Sequence, residues 1–161
     1  MAGDDTLRAI MSKRLITVRA DDPVSAAVRQ MVRHDIGAVL VKRSAKVIGI
    51  VTERDILRAA AKRGDVFARR VSAVLARKKL ITAKPDDSPL HALELMNTNG
   101  IRRVPIFTEG KVVGIVTERD LVKWLLRRPE VILDLLSPEY PAVSRDALVA
   151  LLKELQVREH V

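Results

Sequence analysis

The sequence predicts an α+β fold: two tandem β-α-β-β-α repeats packed sheet against sheet about a pseudo-two-fold axis, followed by a helical extension. Residues 47–58, VIGIVTERDILR, return 65 positions later at 112–123 as VVGIVTERDLVK. Ile16–Arg58 aligns on Ile81–Lys123 without a gap, and 17 of 43 positions are identical. One unit of roughly 60 residues buries too little surface to be comfortable alone, so the two copies are expected to share a core. Core packing would preserve an apolar pattern but let polar residues drift. The repeated Thr-Glu-Arg-Asp therefore asks for a polar explanation.

Each repeat reads alike. A short β-run (Leu15–Val18; Leu80–Ala83) enters a turn of Asp and Pro (Ala20–Pro23; Pro85–Pro89). The Asp pairs, with Ser25 and Ser88, offer side-chain oxygens to the unpaired N–H groups of a starting helix. That helix carries Val24, Ala27, Val28, Met31 and Val32 in the first repeat, and Ala92, Leu93, Leu95 and Met96 in the second, at helical spacing. Two strands follow, Ala38–Lys42 and Val47–Thr52, then Arg103–Phe107 and Val112–Thr117. Their turns are Arg43–Lys46 and Thr108–Lys111, the latter with the hairpin signal Glu109-Gly110. A second helix starts near Glu53 and near Glu118. The organisation expected is repeat one over 6–65, repeat two over 70–128 and a helical extension over 129–161. In that extension a helix interrupted at Pro129 precedes a Pro-containing loop. Ser144 then caps a last helix with Leu148, Leu151, Leu152 and Leu155 on one face, packing on its own domain or on a partner subunit.

Composition narrows the function. The chain has 161 residues, no Cys and only four aromatics, Phe67, Phe107, Trp124 and Tyr140. Thiolate chemistry is excluded, and no rank of rings exists on which successive bases could stack. His34, His91 and His160 share no ligand spacing, so no metal site is expected. Apolar runs are short and interrupted by charge, and the N-terminus lacks a signal-peptide core, which makes the cytoplasm the expected compartment. A net charge of +9 favours an anionic partner, or else simply a charged, thermally robust surface.

The duplicated motif is Gly49-Ile50-Val51-Thr52-Glu53-Arg54-Asp55 and its twin Gly114–Asp120. Glycine lets a ligand approach the strand backbone. Threonine closes the strand at the helix N-cap, where free N–H groups attract an anion. Aspartate three positions on lies on the same side and can accept from both hydroxyls of a ribose. A lone T-x-x-D would be read as a capping box. Duplication of the whole tetrad, with Glu53 and Glu118 already complementing the dipole, favours a ligand.

A β-α-β-β-α repeat ending in G-h-h-T-x-x-D, present twice, with the central strand Gly100-Ile101-Arg102-Arg103-Val104-Pro105-Ile106 in the second copy, resembles a pair of CBS domains, named after cystathionine β-synthase. The resemblance covers about Thr6–Arg127. It implies a regulatory module that binds AMP, ADP or ATP in two symmetry-related clefts, requires no other cofactor, and signals through inter-repeat or dimer geometry. Carried over by position, one cleft uses Thr117, Asp120 and Ile115 with Ile16, Ile36, Gly37 and Ala38. The other uses Thr52, Asp55 and Ile50 with Ile81, Ile101, Arg102 and Arg103. Main-chain groups near Ile16 and Ile81 would pair with the adenine edge. Arg102 and Arg103 would reach phosphate or stand as a solvated pair at a strand edge, and Gly37 and Ala38 at the matching positions make the clefts unequal.

The resemblance also implies a homodimer and a separate effector protein. A nucleic-acid-binding protein using its basic surface is the alternative, and would bind mainly through phosphates with a steep salt dependence. An enzyme is not expected. The acids near the motif fall into two symmetric halves with no positioned base and no metal cluster.

Overall fold

The computed structural model describes residues 5–62, 64–76 and 80–136, with side chains described to residue 132. Its elements run α1 (Leu7–Ile10), β1 (Thr17–Arg19), α2 (Val24–His34), β2 (Ala38–Arg43), β3 (Lys46–Thr52), α3 (Glu53–Lys62), α4 (Pro89–Asn99), β4 (Arg103–Thr108), β5 (Lys111–Thr117), α5 (Glu118–Leu126) and α6 (Pro129–Leu136). A 3₁₀ turn, Val71–Ala73, leads into the second repeat. Ser144 and the leucines of the expected last helix lie outside the described residues.

The two hairpins are near copies. β2 and β3 pair antiparallel with Val39 opposite Val51, and β4 and β5 with Val104 opposite Val116. Each carries a bulge at the same place, after Val41 and after Ile106. The bulge adds local twist and so curves both hairpins alike. The turn of the second is made by Glu109 and Gly110, both at positive φ (49° and 78°), as its sequence predicts. β3 packs against β5, which brings the two sheets together at the pseudo-two-fold axis.

The opening strands are not equivalent. β1 runs parallel to β2, with Leu40 N–H donating to the Ile16 carbonyl (3.0 Å) and Ala20 N–H to the Lys42 carbonyl (2.8 Å). The strand expected over Leu80–Ala83 is reduced to one parallel bridge, Ala83 to Ile106. Proline is the reason. Pro105 replaces Leu40 and Pro85 replaces Ala20, so both flanking ladder donors are missing. Only the central bonds survive, Ala83 N–H to the Pro105 carbonyl (3.1 Å) and Phe107 N–H to the Ala83 carbonyl (2.8 Å). The first strand is also displaced, to Thr17–Arg19 in place of Leu15–Val18.

The aspartates after these strands close turns and do not start helices. Asp22 accepts from Arg19 N–H (2.8 Å) and Asp87 from Lys84 N–H (2.7 Å). Ser88 does cap α4, accepting from His91 N–H at 3.2 Å. Ser25 lies one residue inside α2, which has no side-chain cap.

The two cores exchange their leading segments. Val66, Val71 and Val74, which lead into the opening strand of the second repeat, are buried with Val18, Val24, Val39 and Val51 of the first. Leu7, which leads into the opening strand of the first repeat, is fully buried with Ala92, Val104, Ile106 and Leu121 of the second, and Ile10 and Met11 pack on the same cluster. Matching backbone bonds hold each exchange, Leu7 N–H to the Asp87 carbonyl and Val71 N–H to the Asp22 carbonyl, both 2.9 Å. The strap on the second repeat ends by pairing Ser12 antiparallel with Ile115.

Candidate functional site

A cavity of about 440 Å³ opens between the repeats, within the range of roughly 300–1,000 Å³ usual for small-molecule sites. One wall is the end of β3 and the start of α3: Gly49, Ile50, Thr52, Glu53, Arg54, Asp55 and Arg58. The other comes from the second repeat: Leu80, Ile81, Asn99, Gly100, Ile101, Arg102 and Arg103. All seven residues expected in the Asp55 cleft therefore line a single space. Gly37 lines it too, although it was expected in the twin cleft.

At the floor, Thr52 and Asp55 form a capping box. Thr52 N–H and Oγ1–H both donate to Asp55 Oδ2 (2.9 and 2.7 Å), and Asp55 N–H donates back to Thr52 Oγ1 (3.2 Å). Capping and ligand binding are compatible, because one carboxylate oxygen does the capping. Asp55 Oδ1 has no partner among the described residues and stays available as an acceptor. The threonine hydroxyl is different. Its only proton is given to Asp55, so it can accept from a ligand hydroxyl but cannot donate to a phosphate. Of the first-turn N–H groups, Glu53's donates to the Gly37 carbonyl (3.2 Å) and Asp55's to Thr52. The helix end therefore has little left for an anion, and any phosphate must be held by side chains.

Those side chains are present. Arg54, Arg58, Arg102 and Arg103 border the cavity against Glu53 and Asp55, an excess of two positive charges. Arg103 is the most enclosed. Burial pulls its pKa below the ordinary arginine value, neighbouring Arg102 pulls the same way, and Glu53 opposes both. A Cβ on Gly37 would lie 2.7 Å from Glu53 Oε2 and 3.0 Å from Arg103 Nη2. The absence of a side chain at 37 thus lets an arginine of one repeat approach a glutamate of the other. Sequence reasoning missed Arg58. Its signal was spacing, since three residues past Asp55 on a helix is the same face.

The other expected cleft is built differently. Thr117 and Asp120 repeat the capping box, with bonds of 2.9, 2.7 and 3.3 Å. Ile16 and Ile36 pack on the first core, and buried Ala38 pairs with Thr52 in the sheet. Ile115 is bonded through its main chain to Ser12 in both directions (2.9 and 3.0 Å). Arg14 bridges to His34 Nδ1 at 2.9 Å. Asp120 instead borders a separate cavity of about 470 Å³, with Ala9, Ile10, Lys123, Trp124, Arg127 and Arg128. Among the described residues, no three His, Asp or Glu gather as a metal site would require, and no helix is long and apolar enough to cross a membrane.

Comparison with known proteins agrees with this architecture. The family model for the CBS domain matches residues 7–62 and 71–127. The chain is 34% identical over 108 residues to the mitochondrial CBS domain-containing protein CBSX3 of Arabidopsis thaliana, covering 64% of this chain and 52% of that one. It thus spans about half the length of that relative. A putative signal-transduction protein with CBS domains from Burkholderia ambifaria superposes with a TM-score of 0.72 at 29% identity, covering 76% of this chain and 94% of that one. The CBS domain pair of protein MJ0100, solved with 5′-methylthioadenosine and S-adenosyl-L-methionine, superposes with a TM-score of 0.66 at 24% identity, covering 74% and 94%. The chain belongs to the CBS-domain family and carries two CBS repeats.

Proposed function

We propose that this chain is a regulatory, non-catalytic sensor of adenosine nucleotides (AMP, ADP or ATP) that binds them in the cavity between its repeats at Asp55. CBS domain pairs are in general regulatory ligand-binding modules. The observation that carries the finer reading is the convergence on one 440 Å³ space of Thr52 and Asp55 from one repeat and Ile81, Ile101, Arg102 and Arg103 from the other. Asp55 Oδ1 accepts from the ribose hydroxyls. Ile50, Ile81 and Ile101 supply apolar walls for the base. The arginines take the phosphates by charge-assisted hydrogen bonds.

Because the walls belong to different repeats, a ligand that draws Arg102 and Arg103 toward the α3 side changes the angle between repeats. That change is what a homodimeric partner surface or a separate effector would read. The Asp120 box is the weaker site in this proposal, since Ile16, Ile36 and Ala38 are taken up by the first core and sheet and Gly37 lines the Asp55 cavity instead. Titration calorimetry with AMP, ADP and ATP tests the reading. Saturable binding at micromolar concentration, about −8 kcal/mol, is expected. Absence of binding by all three would overturn it.

A further inference from the structure

We infer that Glu53, held beside Arg103 across the bare main chain of Gly37, limits how much phosphate charge the Asp55 cleft accepts and so shifts its preference from ATP toward AMP. This rests on the proposed adenosine-nucleotide reading of that cleft. All three residues line the cavity. Where a Cβ of residue 37 would stand, Glu53 Oε2 lies 2.7 Å away and Arg103 Nη2 3.0 Å away. The carboxylate and the guanidinium are therefore within about 6 Å of each other, inside the screening length of about 8 Å at physiological salt. They are close without being bonded: among the described residues, neither side chain has a hydrogen-bond or ion-pair partner. Burial and the charge of Arg102 both work against the Arg103 charge, and Glu53 supports it.

The duplication supplies an internal comparison. Both strand-to-helix corners are built alike, with Glu53 N–H donating to the Gly37 carbonyl (3.2 Å) and Glu118 N–H to the Arg102 carbonyl (3.0 Å). The residues around them differ. Arg102 stands where Gly37 does and Ala38 where Arg103 does, so the second corner has neither the bare main chain nor the opposing guanidinium. Among the described residues that line the Asp55 cavity, Glu53 is present and Glu118 is not.

Charge then sets the preference. Arg54, Arg58, Arg102 and Arg103 against Glu53 and Asp55 leave the cleft an excess of two positive charges. The phosphate of AMP carries about two negative charges at neutral pH and balances that excess. Each further phosphate adds charge that the cleft does not match, and a phosphate drawn to Arg103 meets the Glu53 carboxylate at short range. Glu53 acts as the repulsive element of the site: it leaves the guanidinium free to donate to one phosphate and opposes a longer chain.

The test is calorimetry with AMP and with ATP, free of divalent cations, on the wild type, Glu53→Gln, Glu53→Ala and Glu118→Gln. In both Glu53 variants the affinity for ATP relative to AMP is expected to rise about tenfold, and the gain should shrink as salt is raised. Glu118→Gln removes the same first-turn charge from the other corner and should leave the ratio at its wild-type value. An unchanged ratio in Glu53→Gln, or an equal rise in Glu118→Gln, overturns the role of Glu53 while nucleotide binding stands. A rise in Glu53→Ala without one in Glu53→Gln would trace the effect to space and not to charge, and overturns it equally. If the wild type binds neither nucleotide, the adenosine reading fails and takes this inference with it. Glu53 is exposed, so both of its variants are expected to keep the fold, which a thermal melt checks.

Discussion

Asp55 binds Thr52 through a single carboxylate oxygen, Oδ2, and the same geometry recurs between Asp120 and Thr117. The two boxes are equal as helix caps and unequal in surroundings. Asp55 faces the inter-repeat cavity with Arg102 and Arg103 opposite, whereas Asp120 borders a space lined by α1 and α5. Replacing either aspartate by alanine should cost about 1 kcal/mol of stability through loss of the cap. Only Asp55→Ala should also weaken nucleotide binding at the arginine-bearing cleft, by about 1.5–3 kcal/mol, the range for a hydrogen bond to a charged group. Parallel thermal melts and calorimetry on the two variants separate the effects. Equal loss of affinity in both would place the ligand elsewhere.

Arg103 is held in a partly buried position beside a like charge. Such a group gains from a phosphate and loses little of the fold's stability when removed. Arg103→Ala is expected to change the free energy of unfolding by no more than an ordinary surface substitution does, about 0.5 kcal/mol. It should weaken ATP binding by about 1.5–3 kcal/mol. The dependence of affinity on salt should become shallower, as one screened charge interaction is gone. Calorimetry at two ionic strengths checks both points, and an unchanged ATP affinity would remove Arg103 from the phosphate site.

Much of this was legible in the chain. The duplicated G-h-h-T-x-x-D fixed where strand meets helix, and both hairpins and both following helices stand where alternation and spacing put them. The motif's polar residues meet a real cavity, because a strand-to-helix corner projects its side chains to one side. What escaped was non-local. That Leu7 and Ile10 pack on the second repeat and Val71 on the first cannot be read from periodicity, which reports that a face is apolar but not what covers it. The shortened second opening strand was readable in principle. Pro85 and Pro105 were in view, but their effect depends on which N–H groups face the neighbouring strand. Arg58 was overlooked because it lies outside the duplicated tetrad, although its spacing from Asp55 places it on the cavity side.

Asp35 ends α2 in the left-handed conformation (φ 51°), where the second repeat has Gly100 (φ 59°) ending α4. Aspartate tolerates that region but pays for its Cβ, and glycine does not. The Asp35 side chain is exposed and has no hydrogen-bond or ion-pair partner among the described residues that the change would lose. Asp35→Gly should therefore stabilise the fold by about 0.5–1 kcal/mol, offset in part by the freer unfolded chain. Urea denaturation measures it. A loss of stability would mean that the carboxylate contributes more at this turn than the strain it relieves.

The exchanged leading segments press on the motif glycines. A Cβ on Gly49 would lie 3.0 Å from Leu75 Cδ2, and one on Gly114 would run into the Met11 sulfur. The Gly114 position is the tighter, because Met11 Cγ (2.9 Å) and Cβ (3.1 Å) crowd it as well, and these atoms next to the main chain cannot swing aside as the outer methyls of Leu75 can. Gly114→Ala should accordingly cost more than Gly49→Ala, with overpacking of about 1–3 kcal/mol at Gly114 and a smaller cost at Gly49. The contact also predicts non-additivity. Leu75→Ala destabilises alone by opening a cavity, yet combined with Gly49→Ala it should cost less than the two changes summed, because each fills or relieves what the other creates. A double-mutant cycle by denaturant unfolding measures the coupling. Strict additivity would show that the segment leading into the second repeat's opening strand does not rest on Gly49 in solution, and would undo the crossed packing that holds the two walls of the cavity at their present distance.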